Sequence, residues 1–399
     1  MLDVKSIEKL DLKNKKVLVR FDLNLPLDQA GSQINDRLTR IEKTIHHLKE
    51  LNSKIVILSH LGRPKGAINV DLSLEKILSQ LEKVLKSKIV FINDCIGTEV
   101  KEKINSLEQN SIILLENCRF YKEEEENNLE FAKKLSELAD VYVNDAFGCI
   151  HRSHASIDAI TKYLPSYAGN LLEEELSNLY KIVEEPDSPS ITILGGSKIS
   201  TKISVLKNLS KKMDTIVICG GMANNFLAYE GHDVKDSLVE NNVDNLVKEI
   251  ITCAKKNSCK LIIPIDVVSA NKIEENAKIQ TSSVDQIKDG NMILDIGPKT
   301  IEIIKNEISD SRTIFWNGPA GVFETKPFDK GTIAIANIIA EKSISKQILS
   351  FAGGGDTISA LELADIKQKF SYVSTGGGAL LELLEGKNLP GLVALGIVK

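Results

Sequence analysis

Residues 193–202 read ILGGSKISTK. An apolar run, ITIL at 191–194, meets glycines at 195 and 196, and lysines follow at 198 and 202. A non-alternating run of Ile and Leu suits a parallel strand buried on both faces. The glycine pair then suits the turn from strand to helix. The stretch is not a Walker A loop, because the Gly-Lys-Ser/Thr order is missing. If a helix starts after Gly196, Lys198 and Lys202 share one face beside its N-terminus, where N–H groups and two ammonium groups suit phosphate. Two solvated lysines on an ordinary helix explain the motif equally while it stands alone.

The same grammar recurs along the chain. Apolar runs occur at KVLVRFDLN (16–24), KIVILSH (54–60), KIVFIND (88–94), SIILLEN (111–117) and VYVND (141–145). The second half adds ITILGG (191–196), TIVICGG (215–221), KLIIPIDV (260–267), MILDIG (292–297), TIFWNG (313–318), QILSFAGGG (347–355) and FSYVSTGGG (370–378). Amphipathic, helix-like stretches separate them, which predicts βαβ units and an α/β fold with mainly parallel sheets. A chain of 399 residues is too long for one ordinary core, so two domains are expected. The division is expected near LYKIVEEPDSPSITI (179–193), where two prolines follow a charge cluster. NLLEEELSNLYKIVEE (170–185) ahead of it reads as a connecting helix.

Composition narrows the function. Hydrophobic residues make up 42% and charged residues 26%, with a net charge of −5. That balance suits a soluble globular protein and disfavours a nucleic-acid binder; an anion site must be local. The N-terminal MLDVKSIEKLDLKNKK is too charged for a signal peptide, and no apolar stretch is long enough for a membrane span. The six cysteines form no CxxC pair and read as isolated thiols of a reducing cytosol, so a cytoplasmic location is expected. No extended apolar stripe is left over, so a monomer is expected. Of the 50 basic residues only seven are arginine, and six of those lie in the first 152 residues. Lysine covers the ordinary surface; arginine's planar fork is the group that grips phosphate or carboxylate bidentately.

Open α/β sheets bind ligands beyond the carboxyl ends of their strands, and nearly every run here ends in glycine or polar residues. RFDLNLP (20–26) sets Arg20, Asp22 and Asn24 on one side of a strand end. SHLGRP, ENCRF, NDRLTR and GCIHRSH add His60, Arg63, Arg119, Arg37, Arg40, His151, Arg152 and His154. So many arginines at adjacent strand ends would repel one another unless a polyanion sits among them. In the second half, AGGGDT (352–357) combines glycines that admit a close ligand with Asp356, suited to Mg²⁺, and Thr357 at a helix start. WNGPAGVFE (316–324) offers Asn317 and Glu324, the latter suited to ribose hydroxyls, and STGGGA (374–379) is a further glycine turn. No GxGxxG occurs, which weighs against a dinucleotide enzyme.

Taken together and in order, RFDLNLP, DRLTR, SHLGRP, ENCRF, NDAFG–HRSH, LGGSKISTK, GGMA, DIGP, WNGPAGVFE, GGGDT and STGGGALLELLEGK resemble the phosphoglycerate kinase family, from the first strand to the last residues. The resemblance implies reversible phosphoryl transfer between ATP and 3-phosphoglycerate, giving ADP and 1,3-bisphosphoglycerate. It implies two Rossmann-like α/β domains across a hinged cleft. On this chain they would be residues 1–169 for phosphoglycerate and 186–380 for nucleotide. A helix at 170–185 would join them, and 381–399 would return to the first domain. It assigns Asp22, Asn24, Arg37, His60, Arg63, Arg119 and Arg152 to phosphoglycerate. It assigns Gly196, Lys198, Lys202, Gly220, Gly221, Gly297, Asn317, Glu324, Gly354, Gly355, Asp356 and Thr357 to the nucleotide, with Asp356 on Mg²⁺. Arg37, Lys198 and the turn of Gly376, Gly377 and Gly378 would surround the phosphoryl group in flight.

Three positions depart from the family pattern: Cys118, Ser197 and Thr201, the last where an acidic residue often precedes the second lysine. A regulatory nucleotide binder would need only one of the two sites, and a sugar-phosphate enzyme of similar architecture is the other rival.

Overall fold

The computed structural model describes residues 4–25, 36–345 and 347–397. Pro26 of the RFDLNLP stretch therefore lies outside the described residues. The chain's contacts divide it into two units, Met1–Ser177 with Asn388–Lys399, and Asn178–Lys387.

The first unit holds strands β1 (Lys16–Phe21), β2 (Lys54–Leu58), β3 (Ile89–Ile92), β4 (Ile112–Leu115), β5 (Val141–Asp145) and β6 (Ser166–Ala168). They form one sheet in the order β3-β4-β2-β1-β5-β6, every pair parallel. Every residue of β2, β4 and β5 is buried, as expected of a sheet covered by helices on both faces. One face packs Val17, Val19, Ile55 and Ile57 against the helices Glu42–Glu50 and Leu78–Leu85. The other packs Leu18, Val56 and Ile113 against Thr98–Ser106 and Leu129–Ser136. Each fully buried aliphatic side chain contributes about 1.5–3 kcal/mol. Residues from Asn388 onward complete this unit: the Gly391 N–H donates to the Ile150 carbonyl at 2.9 Å.

The second unit holds β7 (Ser190–Leu194), β8 (Thr215–Ile218), β9 (Lys260–Ile262), β10 (Asp266–Ala270), β11 (Gln280–Ser283), β12 (Met292–Ile296), β13 (Thr313–Asn317), β14 (Leu349–Gly353) and β15 (Tyr372–Ser374). Six of these make a second parallel sheet, ordered β15-β14-β13-β7-β8-β9. Both large sheets begin at a central strand, build to one side, and then cross to the other side. The crossing point lies between β1 and β5 in the first sheet and between β7 and β13 in the second. A crevice opens at such a point beyond the carboxyl ends of the strands.

The structure corrects three expectations. The run at 260–267 is two strands, because Pro264 has no N–H to donate and the chain leaves the parallel sheet there. Its second part, β10, joins β11 and β12 in a separate antiparallel sheet ordered β11-β10-β12. The run at 292–297 is thus not part of a parallel sheet; as β12 it pairs antiparallel with β10. Third, no helix starts after Gly196. The first helical residue is Ile203, and 195–202 is a loop. Glu240 holds that loop, accepting the Ser200 N–H at 2.9 Å and its hydroxyl at 2.6 Å. The helix Asn170–Leu179 runs into a π-helical turn, Tyr180–Glu184, so the border between the units falls inside helical backbone. No helix among the described residues is long and apolar enough to cross a membrane.

At the β7/β13 crossing, three loops touch backbone to backbone. The Gly195 N–H donates to the Asn317 carbonyl at 3.0 Å, and the Gly220 N–H to the Ala320 carbonyl at 3.0 Å. A Cβ on Gly195 would lie 1.9 Å from the Pro319 carbonyl oxygen, and one on Gly318 would lie 2.4 Å from the Gly195 oxygen. No flexible side chain can give way there. Gly195→Ala should therefore destabilise the protein by about 3 kcal/mol, read as a lowered urea midpoint.

Candidate active site

Four strand ends of the first sheet converge on one cationic cluster. Arg20, the penultimate residue of β1, is fully buried. Its Nε–H donates to Ser156 Oγ at 2.9 Å, its Nη2 lies 3.0 Å from His60 Nδ1, and its Nη1 donates to the Phe21 carbonyl. Past the strand, Asp22 and Asn24 stay half-buried while Leu23 and Leu25 turn into the core, so the alternation outlasts the ladder. Asn24 Oδ1 accepts the Gly62 N–H at 2.8 Å, which joins the β1 end to the turn after β2.

Arg37 lies in the helix Asp36–Arg40. Its Nη1 is 3.3 Å from Asp22 Oδ2 and donates to the Asn24 carbonyl at 3.0 Å. Arg119 follows β4; it is buried, donates to the Gly62 carbonyl at 3.0 Å and lies 3.4 Å from Glu125. Arg152, after β5, is half-buried, and Arg63 is exposed on the turn after β2. Neither guanidinium has a hydrogen-bond or ion-pair partner among the described residues.

The cluster's charge is felt by its histidines. Burial, then Arg20, Arg119 and Arg152, hold His60 well below its ordinary pKa. Burial, then Arg119 and Arg20, push His154 down to about 3. Asp22, His60 and Cys149 bring ligand atoms within 4.8 Å of one another. A cation is disfavoured there by the arginines around it. The arrangement suits a compact polyanion instead.

In the second unit a cavity of about 290 Å³ opens beside the β7/β13 crossing. Gly196, Gly220 and Gly221 form one wall, and Leu238, Ile273, Ile293 and Val322 give it apolar sides. Glu324 and Asp356, both exposed carboxylates, stand at its edge without hydrogen-bond or ion-pair partners among the described residues. Such a slot takes a flat apolar ring, with polar groups at the rim for what the ring carries.

Asn317, buried at the end of β13, accepts from Lys202 Nζ and donates to the Gly353 carbonyl at 2.6 Å. It thereby holds the lysine beside the glycine turn. Burial lowers the Lys202 pKa, against the pull of Asp356 and Glu385. Thr357 is fully buried, and its Oγ accepts the Gly318 N–H at 2.7 Å, tying the helix Gly355–Leu363 to the crossing loop. Gly354 has φ +97, and a Cβ there would lie 2.6 Å from Asn317 Nδ2. Gly355 differs: its φ is not positive, and nothing lies within 4 Å of a would-be Cβ. The protein's own packing gives no reason for that glycine.

Of the expected nucleotide residues, Gly196, Gly220, Gly221, Glu324 and Asp356 line the cavity, whereas Lys202, Asn317, Gly354, Gly355 and Thr357 lie outside it, as do Lys198, Gly297, Gly376 and Gly377. Lys198 is exposed on the 195–202 loop. Gly297 packs on Asp266, where a Cβ would lie 2.4 Å from the carboxyl carbon. Gly376 and Gly377 form the turn before the helix Gly378–Leu384. Sequence reasoning missed the apolar walls and Asp295, a buried carboxylate in the lining that burial raises to about 7 and that accepts the Gly331 N–H at 2.7 Å. No spacing marked them, because they come from loops and from the unforeseen antiparallel sheet.

The family model described as phosphoglycerate kinase matches residues 7–387. The chain belongs to the phosphoglycerate kinase family. Phosphoglycerate kinase of Bartonella bacilliformis is 46% identical over 391 residues, 98% of each chain. That of Wolbachia pipientis wMel is 45% identical over 395 residues, 99% of each. The solved phosphoglycerate kinase structure from Coxiella burnetii superposes with a TM-score of 0.91 at 38% identity, covering 98% of this chain and 99% of that one. The chain is thus a phosphotransferase, and the reaction of phosphoglycerate kinases is the phosphoryl transfer of glycolysis.

The buried histidines give the cationic cluster a signature in acid. Unfolded His154 gains a proton near pH 6.5, whereas the folded chain resists protonation to about 3. Stability from this group is therefore present above 6.5 and lost as the pH falls through that window. Asp145, raised to about 6 by burial, acts with the opposite sign, so a difference measurement is the clean one. His154→Gln should gain stability relative to the parent on going from neutral pH to about pH 5, read by urea unfolding of both proteins at each pH.

Proposed function

We propose that the arginine cluster of the first unit binds 3-phosphoglycerate and that the cavity of the second unit binds ATP or ADP. The observation that carries the first half is the density of positive charge at the β1, β2, β4 and β5 ends. Arg20 and Arg119 are buried close to Arg152, and the guanidiniums of Arg152 and Arg63 have no partner among the described residues. Only a ligand with several negative charges offsets such a cluster. Asp22, Asn24, Arg37, His60, Arg63, Arg119 and Arg152 are the residues proposed to hold it.

For the nucleotide, the glycine wall and apolar sides suit the base, and Glu324 suits the ribose. Lys202, held by Asn317, is proposed on the nucleotide phosphates. Gly354 and Gly355 would let those phosphates approach the start of the helix that carries Asp356. The glycine at 355, unexplained by the protein's own packing, supports that approach. Gly196, Gly220 and Gly221 act as cavity wall, while Thr357 and Gly297 keep the surrounding backbone in place. Lys198, whose ammonium group makes no hydrogen bond or ion pair among the described residues and feels only the charge of Glu240, is proposed, with Arg37 and the Gly376–Gly377 turn, for the migrating phosphoryl group.

The donor set fits Mg²⁺: Asp356 is a single exposed carboxylate beside the nucleotide cavity, and this ion is commonly held by one or two carboxylates plus substrate phosphates. Bound there, the ion would neutralise phosphate charge. The acceptor oxygen belongs to a carboxylate and needs no general base. Arginine, lysine and backbone N–H groups then supply position and charge stabilisation for a transition state that spreads its charge over the phosphoryl oxygens. Each substrate belongs to a different unit, so transfer requires the two to meet with water excluded. The six free thiols fit a cytoplasmic enzyme.

A coupled assay of ADP and 3-phosphoglycerate formation, with Mg²⁺ present and omitted, tests the reading directly; no metal-dependent turnover would overturn it. Arg37→Ala should reduce kcat about 100-fold, or about 3 kcal/mol of transition-state stabilisation, with little change in nucleotide affinity. Near-parental turnover would remove Arg37 from the chemistry. Asp356→Ala should weaken Mg-nucleotide binding in calorimetry and leave phosphoglycerate binding nearly intact; equal loss of both would make it structural.

A further inference from the structure

We propose that Glu124, Ser156 and Arg20 are positioning residues that lock His60 into one tautomer, with Nδ1 unprotonated and Nε2–H presented as a donor to the acid substrate. The inference deepens the phosphoglycerate assignment above and rests on it only for what Nε2–H meets.

The chain of contacts is buried from end to end: Glu124, Ser156 and Arg20 are fully buried and His60 is 3% exposed. Glu124 accepts twice from Ser156, from the N–H at 2.9 Å and from the hydroxyl at 2.6 Å. With its hydrogen committed to the carboxylate, the Ser156 oxygen has only lone pairs left. It accepts the Arg20 Nε–H at 2.9 Å. Another face of the same guanidinium is fixed by the Phe21 carbonyl, and Nη2 meets His60 Nδ1 at 3.0 Å. Arginine carries five donors and no acceptor. Nδ1 must therefore be the acceptor, and the ring's one proton sits on Nε2. A doubly protonated ring would set N–H against N–H inside a closed site. Each link has its direction dictated by the chemistry of the groups.

The surroundings say why a neutral, directional donor belongs here. His60 faces Arg20 on β1, Asp22 just beyond it, Arg119 after β4, and Cys149, Arg152 and His154 after β5. Three permanent cations already supply the charge that an anion needs. A fourth would repel them, whereas a neutral imidazole adds geometry alone. Nε2 has no hydrogen-bond partner among the described residues, which leaves it for a carboxylate or hydroxyl oxygen of the substrate. Binding through this donor is then insensitive to pH across the neutral range.

Long-range ¹H–¹⁵N NMR of the intact, ligand-free protein tests the lock. His60 should show a proton on Nε2 only, unchanged from about pH 6 to about pH 8; an Nδ1–H ring, or a mixture, overturns the proposal. Ser156→Ala should release the ring to a tautomer mixture and raise the KM for 3-phosphoglycerate about tenfold, as loss of one well-placed hydrogen bond does. The KM for ATP should not move, and Ser156→Thr, which keeps the hydroxyl, should restore both readouts. A Ser156→Ala protein with the parental tautomer also overturns it; if that variant does not fold, the parental spectrum alone decides. If the tautomer is as stated but 3-phosphoglycerate leaves the Nε2–H resonance unmoved, the positioning chain stands and His60's place in the substrate site falls.

Discussion

The second unit depends on backbone touching backbone. The loops after β7, β8 and β13 meet where the sheet reverses its winding, with no side chain between them. That contact sets the cavity wall at Gly196, Gly220 and Gly221 and places Asn317 within reach of Lys202. It also anchors the helix Gly355–Leu363 through Thr357. The glycines in this region therefore do two jobs. Those at 195 and 318 allow the loops to cross, and the one at 355 leaves open space that the protein does not fill.

The first unit is organised by the opposite difficulty, too much like charge in a small volume. Its solution is to bury some cations among fixed acceptors and leave others uncommitted. Arg20 spends its donors on Ser156, Phe21 and His60, and Arg119 is tied to Gly62. The guanidiniums of Arg63 and Arg152 have no partner among the described residues. The neutral histidines belong to the same solution, since a protonated ring would deepen the repulsion.

Much of this was legible in the sequence, for physical reasons. Buried parallel strands need continuous apolar runs, so β1, β2, β4, β5, β7, β8, β13 and β14 announced themselves. The short strands β6 and β11 did not. SYA and QTSS carry no apolar pattern, and their pairing comes from the neighbours they meet. The expected helix after Gly196 is instead a loop, held by Glu240, forty residues away in sequence, through the Ser200 N–H and hydroxyl. In the sites, arginines and glycines stood out because the chain otherwise uses lysine and because glycine clusters at strand ends. Glu124 was invisible: within KEEEEN it looks like any surface acid, and only the fold reveals that it is buried under Ser156.

The return of the last residues to the first unit bears on how the chain is made. Gly391 docks on Ile150, where a Cβ would come within 2.6 Å of the Ile150 side chain. During synthesis, the piece that closes the first unit leaves the ribosome only after all of Asn178–Lys387 has emerged. The unit begun first is finished last. The first unit must therefore wait, partly assembled, while the second already has every residue it needs.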